Sequence, residues 1–368
     1  MILTDISDLK KVELEITSNC NAACPGCART DAAIDGTLKV QDFSFADLKR
    51  IFPPNSYQGV EFKFCGVLGD PAIHPEFAEM LEYLLLCGAV CSISTNGAVG
   101  TADMWRKIGQ LCHDHEKRFH LHWCIDGHEQ TNHIYRVNTK WKVLERNMNA
   151  FVETVGEYVY RAKWVFIVFD HNEHELEAAR EHAKRLGFNF ATRTGMRNSF
   201  HQWTAKIKKK DHKQKKVVTT EKVITTTGKK EHSKVEQVKE LDKFIAKENK
   251  TEKETVEVLQ TIQCKYIHEG EIFIAANLTM WPCCFLSDWA AKGNDNINEK
   301  LAEYGTGWNS LKDKSITEIM QHPWYKKILG DSWNPTHPKH LKRCIRTCAY
   351  NKAYHNEIRD ENEKVEAI

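Results

Sequence analysis

Ile16-Thr17-Ser18-Asn19-Cys20-Asn21-Ala22-Ala23-Cys24-Pro25-Gly26-Cys27 decides the reading of this chain. Its cysteines are spaced C-x3-C-x2-C and follow directly on an apolar, strand-like run at residues 12–17. A [4Fe–4S] cluster usually takes one thiolate per iron. Three cysteines on one short loop would therefore hold three irons and leave the fourth for a ligand that is not protein. Cys24-Pro25-Gly26-Cys27 taken alone also has zinc-knuckle spacing, with a fourth ligand from elsewhere. A thioredoxin-type pair fits less well, because it leaves Cys20 without a role and no helical pattern starts at the second cysteine.

Outward from this loop, strand-like and helix-like segments alternate up to about residue 193. Short apolar or β-branched runs bounded by turn residues predict strands at 12–17, 60–65, 90–95, 119–125, 164–169 and 188–192. Phe77, Leu81, Leu84 and Leu85 make one helical face that ends at Gly88, and Leu144, Met148 and Phe151 make another. Asn172 with Glu175 reads as a helix N-terminus; Leu176, Ala179, Ala183 and Leu186 line the face, and Gly187 closes it. Six β-α repeats predict an α/β fold with a parallel sheet and right-handed crossovers. Periodicity does not distinguish an open sheet from a barrel.

The chain has 368 residues and a formal charge of +2, which favours neither nucleic acid nor an acidic partner. No run resembles a signal peptide or is long enough to span a bilayer, so the expected location is the cytoplasm, without membrane contact. In that reducing compartment the 13 cysteines are not expected to form disulfides. Cys87, Cys91 and Cys112 sit in apolar segments and read as buried thiols. Three regions are expected: 1–203, 204–258 and 259–368. The middle one, where Lys206 to Lys216 holds seven lysines against one aspartate, reads as a disordered or loosely helical solvated insertion. A basic arm for nucleic acid is the alternative, although no aromatic residues interleave to stack on bases. The third region is globular in composition and rich in Cys and Trp.

The cysteine triplet, at this place in the chain, resembles the radical S-adenosylmethionine (radical SAM) enzymes. The resemblance implies a partial (β/α)6 TIM-like barrel whose cluster sits at the open top, with SAM chelated to the fourth iron. Leu68-Gly69-Asp70-Pro71 after the second strand is similar to the family's Gly-Gly-Glu-Pro motif, which implies that Gly69 and Asp70 hold the SAM amino group. Ser94, Thr95 and Asn96 end the third strand, as similar residues line the SAM pocket of relatives. Ile125-Asp126-Gly127 resembles a strand ending of the peptide-modifying branch, with Arg136 at a position that often bears arginine; Asp126 and Arg136 are implied to contact substrate or SAM. Turn-forming or surface roles remain the plain readings of these residues. Gly26 departs from the family, which usually has an aromatic residue before the third cysteine.

Residues 272–284, ending in Trp281-Pro282-Cys283-Cys284, resemble the entry of the SPASM and twitch auxiliary iron–sulfur domains, here a small C-terminal α+β domain. Cys264, Cys283, Cys344 and Cys348 are the implied ligands of one auxiliary cluster of the twitch type. A four-cysteine zinc site fits the same count. Cys284 is read as a neighbouring thiol, since adjacent strand residues point to opposite faces. Leu278 stands where those families usually have a turn glycine. The implied activity is reductive SAM cleavage by an oxidoreductase or maturase, with an electron from a flavodoxin or ferredoxin. The expected substrate is a peptide or protein, presented directly or by a separate recognition protein. A small metabolite, a nucleic acid, or a non-catalytic iron–sulfur or zinc role stand as alternatives. No catalytic residue is assigned beyond these.

Overall fold

The computed structural model describes residues 5–34, 36–193, 206–210, 217–221, 264–287, 304–305, 307–333, 340–344 and 358–360. In chain order the elements that matter are β1 (Lys11–Leu14), α1 (Ala28–Ile34), α2 (Phe45–Ile51), β2 (Glu61–Phe64), α3 (Phe77–Leu86), β3 (Val90–Thr95), α4 (Ala102–Asp114), β4 (Phe119–Cys124), α5 (Asn132–Tyr135), α6 (Trp141–Val155), β5 (Ala162–Ile167), α7 (Leu176–Leu186) and β6 (Asn189–Arg193). There follow β7 (Lys206–Lys210), β8 (Val217–Glu221), α8 (Lys265–His268), β9 (Glu271–Ile274), β10 (Met280–Trp281), α9 (Ile316–Met320) and β11 (Ile358–Asp360).

All six predicted strands are present, and they pair in parallel in the order β1 to β6. β1 and β6 do not pair with each other, so the barrel is partial. Among the described residues the C-terminal segment does not open a sheet of its own. β9 pairs in parallel with the free edge of β1, and β10 turns back on β9 antiparallel. β11 closes the other edge, antiparallel to β6. Within the lysine-rich stretch β7 and β8 form an antiparallel hairpin, where a disordered or loosely helical segment was expected; most of that insertion lies outside the described residues. Among the described residues no helix is long and apolar enough to cross a membrane.

The two faces of the sheet differ in chemistry. On β4, Phe119, Leu121 and Trp123 are fully buried while His120, His122 and Cys124 are half-buried. Trp123 packs on Trp105 of α4 at 4.5 Å between ring centroids and stacks on Phe188 at 6.1 Å. The helices thus cover the apolar face. The inner face carries Glu13, Lys63, Ser92, Ser94, His120, His122, Cys124 and Lys163. A parallel sheet is normally apolar on both faces; this one is polar on its inner face.

Two local expectations change. Asn172 does stand at the N-terminus of a 3-10 turn, Glu173–Glu175, that leads into α7, but its side chain does not cap it; Oδ1 accepts from Phe169 N, and Nδ2 donates to the carbonyls of Asp126 and Ile167. α7 proper starts at Leu176, because tying β4 and β5 together satisfies two buried carbonyls that a cap would not reach. Cys91 and Cys112 are buried, but Cys87 ends α3 at the surface and is half-buried. Leu278 sits at φ 66°, so the turn between β9 and β10 does adopt the backbone that glycine favours, with a side chain that is nonetheless buried.

Candidate functional site

The loop after β1 is held from two sides. Ser18 N donates to Gln41 O at 2.9 Å, and Thr17 Oγ1 donates to Asp42 Oδ1 at 2.5 Å. From β2, Asp70 N donates to Asn19 O at 2.9 Å. Gly69 makes that approach possible: a Cβ there would lie 1.7 Å from Thr17 O. Glu15, a buried carboxylate on which the sequence reading placed no role, accepts from Leu68 N at 2.6 Å and Gly69 N at 3.3 Å. Burial pushes the Glu15 carboxyl up to about 7, against those backbone bonds. The folded state therefore binds a proton that the unfolded chain has lost, and stability falls as pH rises from about 4.5 towards 7, by up to ~3 kcal/mol. Glu271, also raised to about 7 by burial, acts in the same window. Glu15→Gln keeps an acceptor for Leu68 N, and is expected to flatten the fall in urea midpoint between those pH values relative to the unvaried chain.

The three loop cysteines gather in a small apolar cluster, apart from the main core, with Ala22, Tyr135, Ile167 and Phe169. Asn96 Nδ2 points at Cys20 Sγ from 3.8 Å and Arg136 Nη1 at Cys24 Sγ from 3.9 Å. Burial pushes the Cys20 thiol up, and the Asp70 and Cys24 charges add to it. Asn19 Oδ1, beside Cys20, is buried without a hydrogen-bond partner among the described residues. Among those residues no three His, Cys, Asp or Glu side chains converge on a point for a single ion. A four-iron cluster is larger than an ion and spreads its thiolates over separate corners, and soft thiolates with two N–H donors beside them suit it.

Asp70 does not present a free carboxylate. It accepts from Thr95 Oγ1 at 2.8 Å, Asn96 N and Asn96 Nδ2 at 2.7 Å each, and Ala72 N at 3.1 Å. Burial raises its pKa despite these bonds. Asp70 thus welds the end of β3 to the loop after β2. Asn96 passes the link to Asn21 Oδ1 at 2.9 Å, and so to the cysteine loop. Asn21 lies within the first stretch quoted above, but its partner on β3 could not be read there. Ser94, on the inner face opposite His122, stands outside this network.

Asp126 is the second hub. It is fully buried, pairs with Arg136 Nε at 2.7 Å and accepts Ile167 N at 2.7 Å, while its own N–H meets Asn132 Oδ1 at 2.9 Å. Burial works against the Arg136 charge, but Asp126 and Cys24 hold it well above its ordinary pKa. Asp126→Asn leaves that guanidinium buried without its counter-ion. It is expected to cost about 3–5 kcal/mol, read as a urea-midpoint loss that Asp126→Asn with Arg136→Met partly restores.

Cys264, Cys283 and Cys344 are all buried, and burial, then the charges of Cys284, Cys264 and Cys344, raise the Cys283 thiol. Cys348 lies outside the described residues. Cys284 is hydrogen-bonded to the Glu13 carboxylate of β1, which also accepts the Cys65 thiol at 2.8 Å.

No protein-family model matches the chain. A stretch of 112 residues is 31% identical to a Pyrococcus furiosus protein described as a tungsten-containing aldehyde ferredoxin oxidoreductase cofactor-modifying protein, over 28% of this chain and 28% of that one. The chain thus matches little more than a quarter of that relative's length. Streptococcus suis SuiB bound to its precursor peptide SuiA is similar in structure over 89% of this chain and 67% of its own, with a TM-score of 0.50 at 12% identity. The structure of anSMEcpe with bound S-adenosylmethionine aligns over 88% and 80%, with a TM-score of 0.46 at 13% identity. The six-stranded partial barrel, with its cysteine triplet on the loop after the first strand, shares its fold with SuiB.

Proposed function

We propose that the chain is a radical SAM enzyme, with one [4Fe–4S] cluster held by Cys20, Cys24 and Cys27 and S-adenosylmethionine bound beside it. The supporting observation is the gathering of these thiols under Asn96 and Arg136, which are themselves held by Asp70 and Asp126. Held there, a reduced cluster of this kind would supply the electron for reductive cleavage of SAM and so the means of taking hydrogen from an unreactive carbon. The chain's own part is positioning. Gly69 and Asp70 set the height of the loop after β2, Thr95 and Asn96 line the end of β3, and Arg136 places positive charge beside the thiolates. Burial of these groups keeps water from the reacting centre.

Cys264, Cys283 and Cys344, with Cys348, would hold an auxiliary cluster; Cys284, hydrogen-bonded to Glu13, is not a ligand in this reading. The electron would come from a flavodoxin- or ferredoxin-type protein. The substrate is a peptide or protein, a reading supported by the likeness to SuiB bound to SuiA. The 31% identity to a cofactor-modifying protein favours a second substrate class, a cofactor or its precursor.

The test is anaerobic reconstitution with SAM and dithionite. About eight irons per chain and 5′-deoxyadenosine, identified by mass spectrometry, support the proposal. Iron or zinc without SAM binding or cleavage overturns it. Deuterated peptides and deuterated cofactor precursors, offered separately, assign the substrate class by which of them labels the 5′-deoxyadenosine.

A further inference from the structure

We propose that the Tyr325 hydroxyl donates a hydrogen bond to a sulfur of the cluster held by Cys264, Cys283 and Cys344, and so raises the reduction potential of that cluster. The proposal rests on the auxiliary-cluster reading above, and adds to that site a donor that is not one of its thiols.

Tyr325 lies in a π-helical turn, Trp324–Ile328, that continues as helix through Asp331. Such turns are rare and recur at functional sites. Trp308 packs on Trp324 at 4.9 Å between ring centroids, which anchors the start of the turn. At the far end Leu341 N donates to Ser332 O at 3.0 Å, so the short stretch that carries Cys344 is tied to the same helix. Tyr325 is fully buried, at 0% exposure, within the core that also contains Cys264, Cys283 and Cys344. Yet its hydroxyl oxygen has no hydrogen-bond partner among the described residues.

A buried hydroxyl without a partner costs about 1–3 kcal/mol, and a phenyl ring would fill nearly the same space without that cost. The surroundings of the oxygen indicate the partner that would remove it. Burial acts on the hydroxyl first, and the charges that add to it are those of Cys264 and Cys283. A phenol carries its proton at neutral pH, so the group is a donor set beside sulfur. Tyr266 has a different environment. It is half-buried, packs on Phe285 at 6.3 Å between centroids, and after burial is acted on by Cys284, Cys283, Glu13 and Glu271. Soft thiolates with an orphaned O–H donor among them suit an iron–sulfur cluster, whose sulfurs accept hydrogen bonds. The reduced cluster is the more negative, and a charge-assisted bond to it is the stronger one. The donor therefore favours the reduced state.

The test is a redox titration, followed by EPR, of the reconstituted chain carrying Cys24→Ala, so that the iron observed is that at the C-terminal cysteines. Adding Tyr325→Phe is expected to raise the ratio of oxidised to reduced cluster at a fixed potential about tenfold, a fall in midpoint of ~59 mV for one electron, with iron content unchanged. In the metal-free chain the same substitution is expected to leave the urea midpoint unchanged or to raise it, because it removes an unpaired hydroxyl. An unmoved or raised potential, or a lowered urea midpoint in the metal-free chain, overturns the proposal and leaves the cluster reading standing. A Cys24→Ala chain that binds no iron, or only zinc, overturns the cluster reading itself, and the tyrosine assignment falls with it.

Discussion

Cys24→Ala is expected to abolish 5′-deoxyadenosine formation and to lower reconstituted iron from about eight to about four per chain. Cys24 is the buried member of the triplet, at 7% exposure, and the one nearest the Arg136 guanidinium. Its removal takes away one of three anchors on a loop with no spare sulfur, so a cluster bound there would lose an iron corner and open to solvent. The C-terminal cysteines lie on separate elements, and iron bound there in the proposed reading is expected to remain. The comparison that gives the result meaning is Cys91→Ala. Cys91 is fully buried on β3 among apolar side chains, and its loss is expected to cost only ~1–2 kcal/mol of stability with iron and SAM cleavage retained. Equal losses in the two variants would mean that the triplet is an ordinary set of core thiols. Iron analysis, the cluster's absorption band and 5′-deoxyadenosine yield decide between them.

Gly69→Ala is expected to destabilise the protein by ~3 kcal/mol or more and to remove SAM affinity beyond what the stability loss explains. The added Cβ would lie 1.7 Å from the carbonyl oxygen of Thr17 and 2.6 Å from its carbon. Both are backbone atoms at the foot of the cysteine loop, so no rotamer change relieves the contact. The loop after β2 has to lift away from β1. That breaks the bond from Asp70 N to Asn19 O and the two backbone donors to Glu15. Asp70 then no longer sets Thr95 and Asn96 against the cysteines. Gly26→Ala is the control. Gly26 sits at φ 68° with nothing within 4 Å of the added methyl, so only the backbone penalty of ~1 kcal/mol is expected. A Gly69→Ala chain with the urea midpoint of the unvaried protein would show that the close packing of the two loops does not matter.

The fold was readable because its signals are local. Each strand is a short β-branched or aromatic run between turn residues, and the helices between them carry one apolar face, so six parallel repeats follow from chain order. The loop cysteines were readable because they lie on one stretch of eight residues. Asp70, Asn96 and Asp126 were read as following strands two, three and four, and Arg136 as lying before the next helix, but their partners were not legible. The sequence suggested ligand contacts for Asp70 and Asp126, whereas both carboxylates are spent on the protein's own donors. Those donors come from other strands, at separations of 25 residues for Asp70 to Thr95 and 41 for Asp126 to Ile167. One signal for Glu15 was present and unused: Glu13 and Glu15 interrupt an otherwise apolar strand at a spacing of two, which puts both on one face.

The sequence by itself therefore determined the α/β repeat, the cysteine loop and the residues at each strand end, because periodicity and spacing are properties of neighbours along the chain. Tertiary structure alone decided that β9 pairs with β1 and that Asp70 and Asp126 gather donors from distant parts of the chain. Those outcomes depend on register between distant strands and on which groups burial leaves close together, neither of which a linear sequence specifies.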